Sequence, residues 1–200
     1  MSKYKVYLVD DDESVREAIA FLLGTYGVNV ETFGDPKTLL AHIHKEKPGC
    51  LIVDLRMPLV SGLQLHAQLA ERDIDWPTIM ITGHGDVVAC RNAFKAGIQD
   101  FLGKPVDGEV LFEAVQQAFE SLDARLERRE ARLQLAQLTD REREVLEMIA
   151  NGWASKEIGA ALGISARTVD AHRAKIAGKL GTSSVAELVR LTLTNKTTRR

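Results

Sequence analysis

The 200-residue sequence predicts an α/β domain built on a doubly wound parallel sheet, followed by a small all-α domain. Three observations carry that expectation. Short apolar runs alternate with amphipathic segments through residue 120, the pattern of repeated βα units. The charge then reverses: residues 1–120 hold 11 Lys/Arg against 18 Asp/Glu, and residues 121–200 hold 15 against 10. Between the halves, residues 109–138 contain neither Gly nor Pro, so nothing breaks a long helix. The predicted organisation is a domain over 1–120, a helical linker over 121–137 and a second domain over 138–200.

Each element has its own signal. Tyr4–Val9 reads as a strand and Ser14–Tyr26 as an amphipathic helix; Val28–Phe33 is strand-like again. Asp35 before Pro36 starts the next helix, with a cap preceding a proline at the first helical position. Cys50–Asp54 is the third strand and Ser61–Arg72 the helix after it. Thr78–Thr82 is the fourth strand, residues 86–96 form a helix stopped by Gly97, and Gln99–Leu102 is the fifth strand. A long helix begins at Asp107. Phe119, Leu122, Leu126, Leu133 and Ala136 approximate a heptad seam on it, interrupted by Arg129. Its alternating Arg and Glu residues mark a solvated helical linker.

The last segment opens with a capping box, Thr139 with Glu142, and its first helix stops at Asn151-Gly152. Ser155 starts a short helix, Gly163 makes a turn, and Ser165 caps a longer helix over Ala166–Leu180. A second capping box, Ser184 with Glu187, starts the final helix. Two helices joined by a Gly-containing turn form a helix-turn-helix. On the longer helix, Val169, Ile176 and Leu180 recur at core spacing. Arg167, Asp170, Ala171, Ala174, Lys175 and Lys179 are left toward solvent. From Asn151 onward there are 9 Lys/Arg against 3 Asp/Glu. Such cations suit phosphates, and small or polar groups suit base edges in a major groove.

In the first domain the chemistry falls at strand ends. Asp10-Asp11-Asp12, Asp54, Thr82 and Lys104 each stand at or just past the end of an apolar run. In a parallel α/β sheet those ends converge on one edge. Acids, a hydroxyl and an ammonium there suit a divalent cation, Mg²⁺ or Mn²⁺, and a phosphoryl group. Asp54 is then a nucleophile that forms an aspartyl-phosphate. Taken singly, each residue has a plainer role, such as helix capping by the Asp triplet. Cys50 and Cys90 lack metal-ligand spacing and read as reduced packing residues. The N-terminus lacks an apolar signal region and no stretch approaches membrane-spanning length, so a cytoplasmic protein is expected.

Residues 1–120 resemble a bacterial response-regulator receiver domain. The resemblance rests on Val9-Asp10-Asp11-Asp12, Asp54-Leu55-Arg56-Met57-Pro58, Ser61-Gly62, Ile81-Thr82-Gly83-His84-Gly85-Asp86, Lys95-Ala96-Gly97 and Lys104-Pro105. It implies a flavodoxin-like (βα)5 fold and phosphorylation of Asp54 by a sensor histidine kinase. It also implies metal binding by Asp10, Asp11, Asp54 and the backbone carbonyl of Arg56. Within the triplet, Asp11/Asp12 is the other possible acid pair; spacing from the strand start favours Asp10/Asp11. Thr82 and Lys104 would hold the phosphoryl group, Phe101 would be the aromatic switch, and the Lys104–Pro105 bond would be cis. Arg56 and His84 occupy positions that gate hydrolytic water; replacing both with Ala is expected to shorten the lifetime of the phosphorylated state.

Residues 138–193 resemble a LuxR-type DNA-binding domain. The matching residues are Leu138–Leu146, Lys156-Glu157-Ile158, Leu162-Gly163-Ile164-Ser165, Thr168-Val169, His172 and Lys179-Leu180-Gly181. The whole chain is thus similar to response regulators of the NarL/FixJ group, and the Ile81–Asp86 loop and Thr168-Val169-Asp170 are nearest the FixJ-type members. The resemblance implies a regulator of transcription and no enzyme beyond its own phosphorylation and dephosphorylation. It implies DNA contacts from Lys156, Arg167, Thr168, Asp170, Ala171, His172, Arg173, Ala174, Lys175 and Lys179, on half-sites related by two-fold symmetry. Many relatives carry Lys where Asp170 stands; an acid there can accept from cytosine N4. Phosphorylation would drive homodimerisation through the receiver, with Val185, Leu188, Val189 and Leu191 of the last helix as dimer residues on DNA and RNA polymerase as a further partner. Two rivals remain. An aspartyl-phosphate phosphohydrolase would use Asp10-x-Asp12 but gives Asp54 no role. A ligand-sensing LuxR-type regulator would need a small-molecule pocket.

Overall fold

The computed structural model describes residues 2–44, 47–83 and 97–196, in two compact units, Met1–Arg125 and Leu126–Arg200. The first unit runs β1 (Lys5–Val9), α1 (Glu13–Thr25), β2 (Asn29–Phe33), α2 (Pro36–His42), β3 (Gly49–Asp54), α3 (Gly62–Glu71), β4 (Thr78–Thr82), β5 (Asp100–Gly103) and the start of α4 (Gly108–Ala136). Every strand pairing is parallel, and the strand order is β2-β1-β3-β4-β5. The predicted helix over 86–96 lies outside the described residues.

The central strands read as near-continuous apolar runs because helices cover both faces of the sheet. All six residues of β3 and all five of β4 are buried. Leu8, Ile52, Ile79 and Ile81 lie at the centre of this core, packed with Leu23, Leu111 and Val115 from the helices. Truncating one of them to Ala costs about 2–5 kcal/mol. Helix starts follow the side chains: Asp12 caps α1, Asp35 caps α2, and Ser61 with Gln64 forms a capping box on α3. That last box is written in the sequence as Ser-x-x-Gln.

The second unit comprises α5 (Asp140–Ala150), α6 (Ser155–Leu162), α7 (Ala166–Leu180) and α8 (Val185–Lys196), together with the end of α4. The Thr139–Glu142 capping box is formed as predicted. Gly163 closes α6 in the left-handed conformation at φ 67°, and Ser165 caps α7. Gly159 has a separate reason to be glycine: a Cβ there would lie 2.7 Å from the Ile164 carbonyl oxygen, inside the turn. At Ser184 the reciprocal side-chain exchange is not among the described hydrogen bonds; its carbonyl accepts the Leu188 amide at 3.0 Å and its own amide donates to Thr182 Oγ1.

The solvated linker needs correcting. Leu122 is fully buried in the first unit, whereas Ala131 and Leu135 are buried in the core of the second with Val145, Ile149, Val169 and Ile176. The heptad reading fails at Leu133, which is 59% exposed. The helix serves one core along its first turns and the other along its last, so its apolar positions follow two faces rather than one seam.

Candidate functional site

Sheet register assembles the first site. Val9 is level with Val53, Asp54 with Ile81, and Thr82 with Gly103. Asp10, Asp54, Thr82 and Lys104 therefore meet at the carboxyl edge, on either side of the switch point between β1 and β3. Asp10 is 1% exposed and Asp54 5%. Lys104 Nζ lies 2.6 Å from Asp10 Oδ2 and 3.2 Å from Asp54 Oδ1. The Arg56 amide donates to Asp54 Oδ2 at 3.2 Å, and the Lys104 amide donates to the Thr82 carbonyl at 2.7 Å. The Lys104–Pro105 bond is cis.

Carboxylate oxygens of Asp10, Asp11 and Asp54 lie within 4.8 Å of one another. Asp12 is otherwise engaged: its Oδ1 accepts the amides of Ser14 and Val15. The triplet thus divides into two acids grouped with Asp54 and one helix cap. Three hard oxygen donors facing a single ammonium fit Mg²⁺. Burial pushes the Asp54 carboxyl above its ordinary value; Lys104 opposes that shift and the Asp10 charge adds to it. Burial also works against the Lys104 charge, but pairing with Asp10 and Asp54 more than offsets it, so the ammonium is held above its ordinary value.

Two residues support the site, Arg16 and Gly62, and of these Gly62 belongs to the sequence motif. Arg16 Nη1 donates to the Asp10 carbonyl at 2.7 Å and holds the end of β1. Nothing in the periodicity distinguishes Arg16 from a solvated helix cation. At Gly62 an added Cβ would lie 2.6 Å from the Asp54 carbonyl oxygen, so only glycine lets α3 start against the strand that carries Asp54. Phe101 is half-buried on β5, level with Met80. His84, Cys90 and Lys95 lie outside the described residues.

In the second unit, α7 buries Val169, Ile176 and Leu180 as predicted. Lys156, Arg167, Thr168, Asp170, Ala171, Ala174 and Lys175 are exposed, and Arg173 is half-buried. Three polar residues carry internal commitments. Asp170 Oδ1 accepts from Ser155 Oγ at 2.7 Å. The ring of half-buried His172 turns Nδ1 inward, where it has no partner among the described residues. Lys179 Nζ lies 2.6 Å from Glu142 Oε2. The dimer set needs correcting: Leu188 and Leu191 are 4% and 6% exposed and belong to the core, which leaves exposed Val185 and half-buried Val189 at the surface. Helical periodicity alone did not say which side of α8 faces inward.

Residues 6–116 match the response regulator receiver domain family, and residues 136–192 match the luxR family of bacterial regulatory proteins. The chain belongs to the response regulators that join a receiver to a LuxR-type DNA-binding domain, and it is a regulator of transcription. It is 40% identical to the transcriptional regulatory protein FixJ of Rhizobium meliloti over 197 residues, 96% of this chain and 97% of that one. It is 37% identical to the tetrathionate response regulatory protein TtrR of Salmonella typhimurium, over 92% of this chain and 90% of that one. Among solved structures, the response regulator StyR matches at 39% identity with a TM-score of 0.72, covering 96% of this chain and 99% of that chain. Full-length FixJ from B. japonicum matches at 32% identity with a TM-score of 0.57, covering 98% and 99%. Among the described residues, no helix is long and apolar enough to cross a membrane.

Proposed function

We propose that the chain is switched by transfer of a phosphoryl group from a sensor histidine kinase to Asp54, and that the phosphorylated form binds two-fold-related DNA half-sites as a homodimer. The observation that carries this reading is the convergence of Asp10, Asp11 and Asp54 on one ammonium, Lys104, at the carboxyl edge of the sheet. An Asp54 carboxylate oxygen attacks phosphorus, an O–P bond forms, and the bond to the donor imidazole breaks. Asp10, Asp11, Asp54 and the Arg56 carbonyl would hold Mg²⁺ or Mn²⁺, which supplies positive charge to the phosphoryl oxygens when bound. Lys104, already on the Asp54 carboxylate, would pair with the transferred group. Buried Thr82, on the adjacent strand, would hydrogen-bond it, and Phe101 would turn inward as that hydroxyl moves.

Beyond its own phosphorylation and dephosphorylation the receiver has no enzymatic role. On DNA, exposed Arg167 and Lys175 of α7 and Lys156 of α6 supply phosphate contacts. Asp170 contributes base readout, and Val185 and Val189 the dimer contact; RNA polymerase is the downstream partner. Incubation with acetyl phosphate and Mg²⁺ tests the central step: the chain should gain one acid-labile phosphate that Asp54→Asn cannot accept. Steady release of inorganic phosphate by Asp54→Asn at the wild-type rate would favour a phosphohydrolase instead.

A further inference from the structure

The cations of α7 are not equivalent. Arg167 and Lys175 are exposed and have no ion-pair partner among the described residues. Lys179, in the last turn, instead enters a node made by three elements. Its Nζ lies 2.6 Å from Glu142 Oε2 on α5 and 3.1 Å from the Gln137 carbonyl oxygen just past α4. The same Glu142 oxygen accepts the Thr139 amide at 2.9 Å. Glu142 is 3% exposed, whereas the Lys179 side chain is about a third exposed. The ammonium thus reaches inward to a buried carboxylate while its stem lies at the surface.

We propose that Lys179 is a positioning residue that ties the last turn of α7 to the junction of α4 and α5, and that it makes no DNA phosphate contact. This rests on the reading of the second unit as a DNA-binding domain. Moving Nζ to a phosphate would strip a buried carboxylate of its counter-charge and leave it the neutral groups of Thr139. The pair is also neutral as a unit, so it offers a phosphate no net attraction. The bonds to Gln137 and Thr139 both fall on the chain between α4 and α5. Lys179 therefore fixes the recognition helix relative to the segment by which it is attached.

The test uses the full chain, phosphorylated with acetyl phosphate, and a duplex selected from random sequence by the wild type. Affinity is measured against salt concentration. Removing a phosphate contact reduces the slope of log K against log salt by about one. Lys175→Ala and Arg167→Ala are expected to do so. Lys179→Met is expected to weaken binding to the selected duplex about tenfold with the slope unchanged, and Lys179→Arg to restore most of it. Glu142→Gln, which removes no cation, should weaken binding as much as Lys179→Met, and the double variant no further. A slope lowered by about one in Lys179→Met, or wild-type binding by Glu142→Gln, overturns the proposal. If Lys179→Met fails to fold, by circular dichroism, Glu142→Gln and Lys179→Arg still decide it. A wild-type chain that selects no duplex would instead overturn the DNA-binding reading, and this inference with it.

Discussion

Two lysines in this molecule make the same contact, 2.6 Å from the oxygen of a buried carboxylate, yet they belong to opposite kinds of site. Lys104 faces Asp10 and Asp54, with Asp11 beside them, so one ammonium answers three carboxyl groups. Lys179 faces Glu142 alone, and the neutral partners Gln137 and Thr139 complete the node. The first cluster is short of positive charge, a deficit that a divalent cation could fill. The second is balanced and holds helices in place. Charge count, more than distance, separates a site poised for chemistry from one that is structural.

The largest expected effect breaks the comparison on the receiver side. Lys104→Met removes the ammonium that, among the described residues, faces three acids, and phosphorylation by acetyl phosphate should slow by about 10²-fold, the scale of losing one preorganised stabiliser of developing charge. An unchanged rate, followed by phosphate incorporation, would reduce Lys104 to a structural partner. On the other side, Lys179→Met should destabilise the second unit by about 2–3 kcal/mol in urea unfolding. That is less than a fully buried pair would cost, because the lysine is partly exposed.

Acid should distinguish the two sites next. The Lys179 ammonium, then the Thr139 amide, lower the Glu142 carboxyl to about 2 from its ordinary 4.5. A depressed folded-state pKa stabilises the fold above the unfolded value and loses that contribution as pH falls through the folded one. The second unit should therefore lose stability between about pH 4.5 and 2, and Glu142→Gln should flatten that loss in thermal melts. The opposite shift at Asp54 means that ionising it costs the receiver stability, so Asp54→Asn should raise stability by about 0.5–2 kcal/mol. Mg²⁺ at ten times its Kd should likewise add about 1.4 kcal/mol to the wild-type receiver. Asp11→Asn, at an exposed position, should lose most of that gain while remaining folded.

The sheet and its site were legible because both follow from local patterns. Apolar runs ending in Asp10, Asp54, Thr82 and Lys104 specify parallel strands, and parallel strands bring their ends to one edge. The helices of the second unit were legible through Thr139, Gly163 and Ser165, each a cap or stop with its own chemistry. What stayed hidden depends on which face of a helix finds a partner far along the chain. Lys179 looked like one more solvent cation because Glu142 stands 37 residues earlier. Leu188 and Leu191 looked free to form a dimer because the sequence of α8 does not show which side packs inward. The division of α4 between two cores was invisible for the same reason, since each set of apolar residues is too short to show a period.

The most direct test of the account is DNA affinity measured for the wild type and Asp54→Asn, each with and without acetyl phosphate and Mg²⁺, on a duplex selected by the phosphorylated wild type. The wild type should gain tenfold or more in affinity with a shift from monomer to dimer, and Asp54→Asn should gain nothing. Equal gains in both chains, or a wild type that takes up phosphate with no change in affinity, would contradict it.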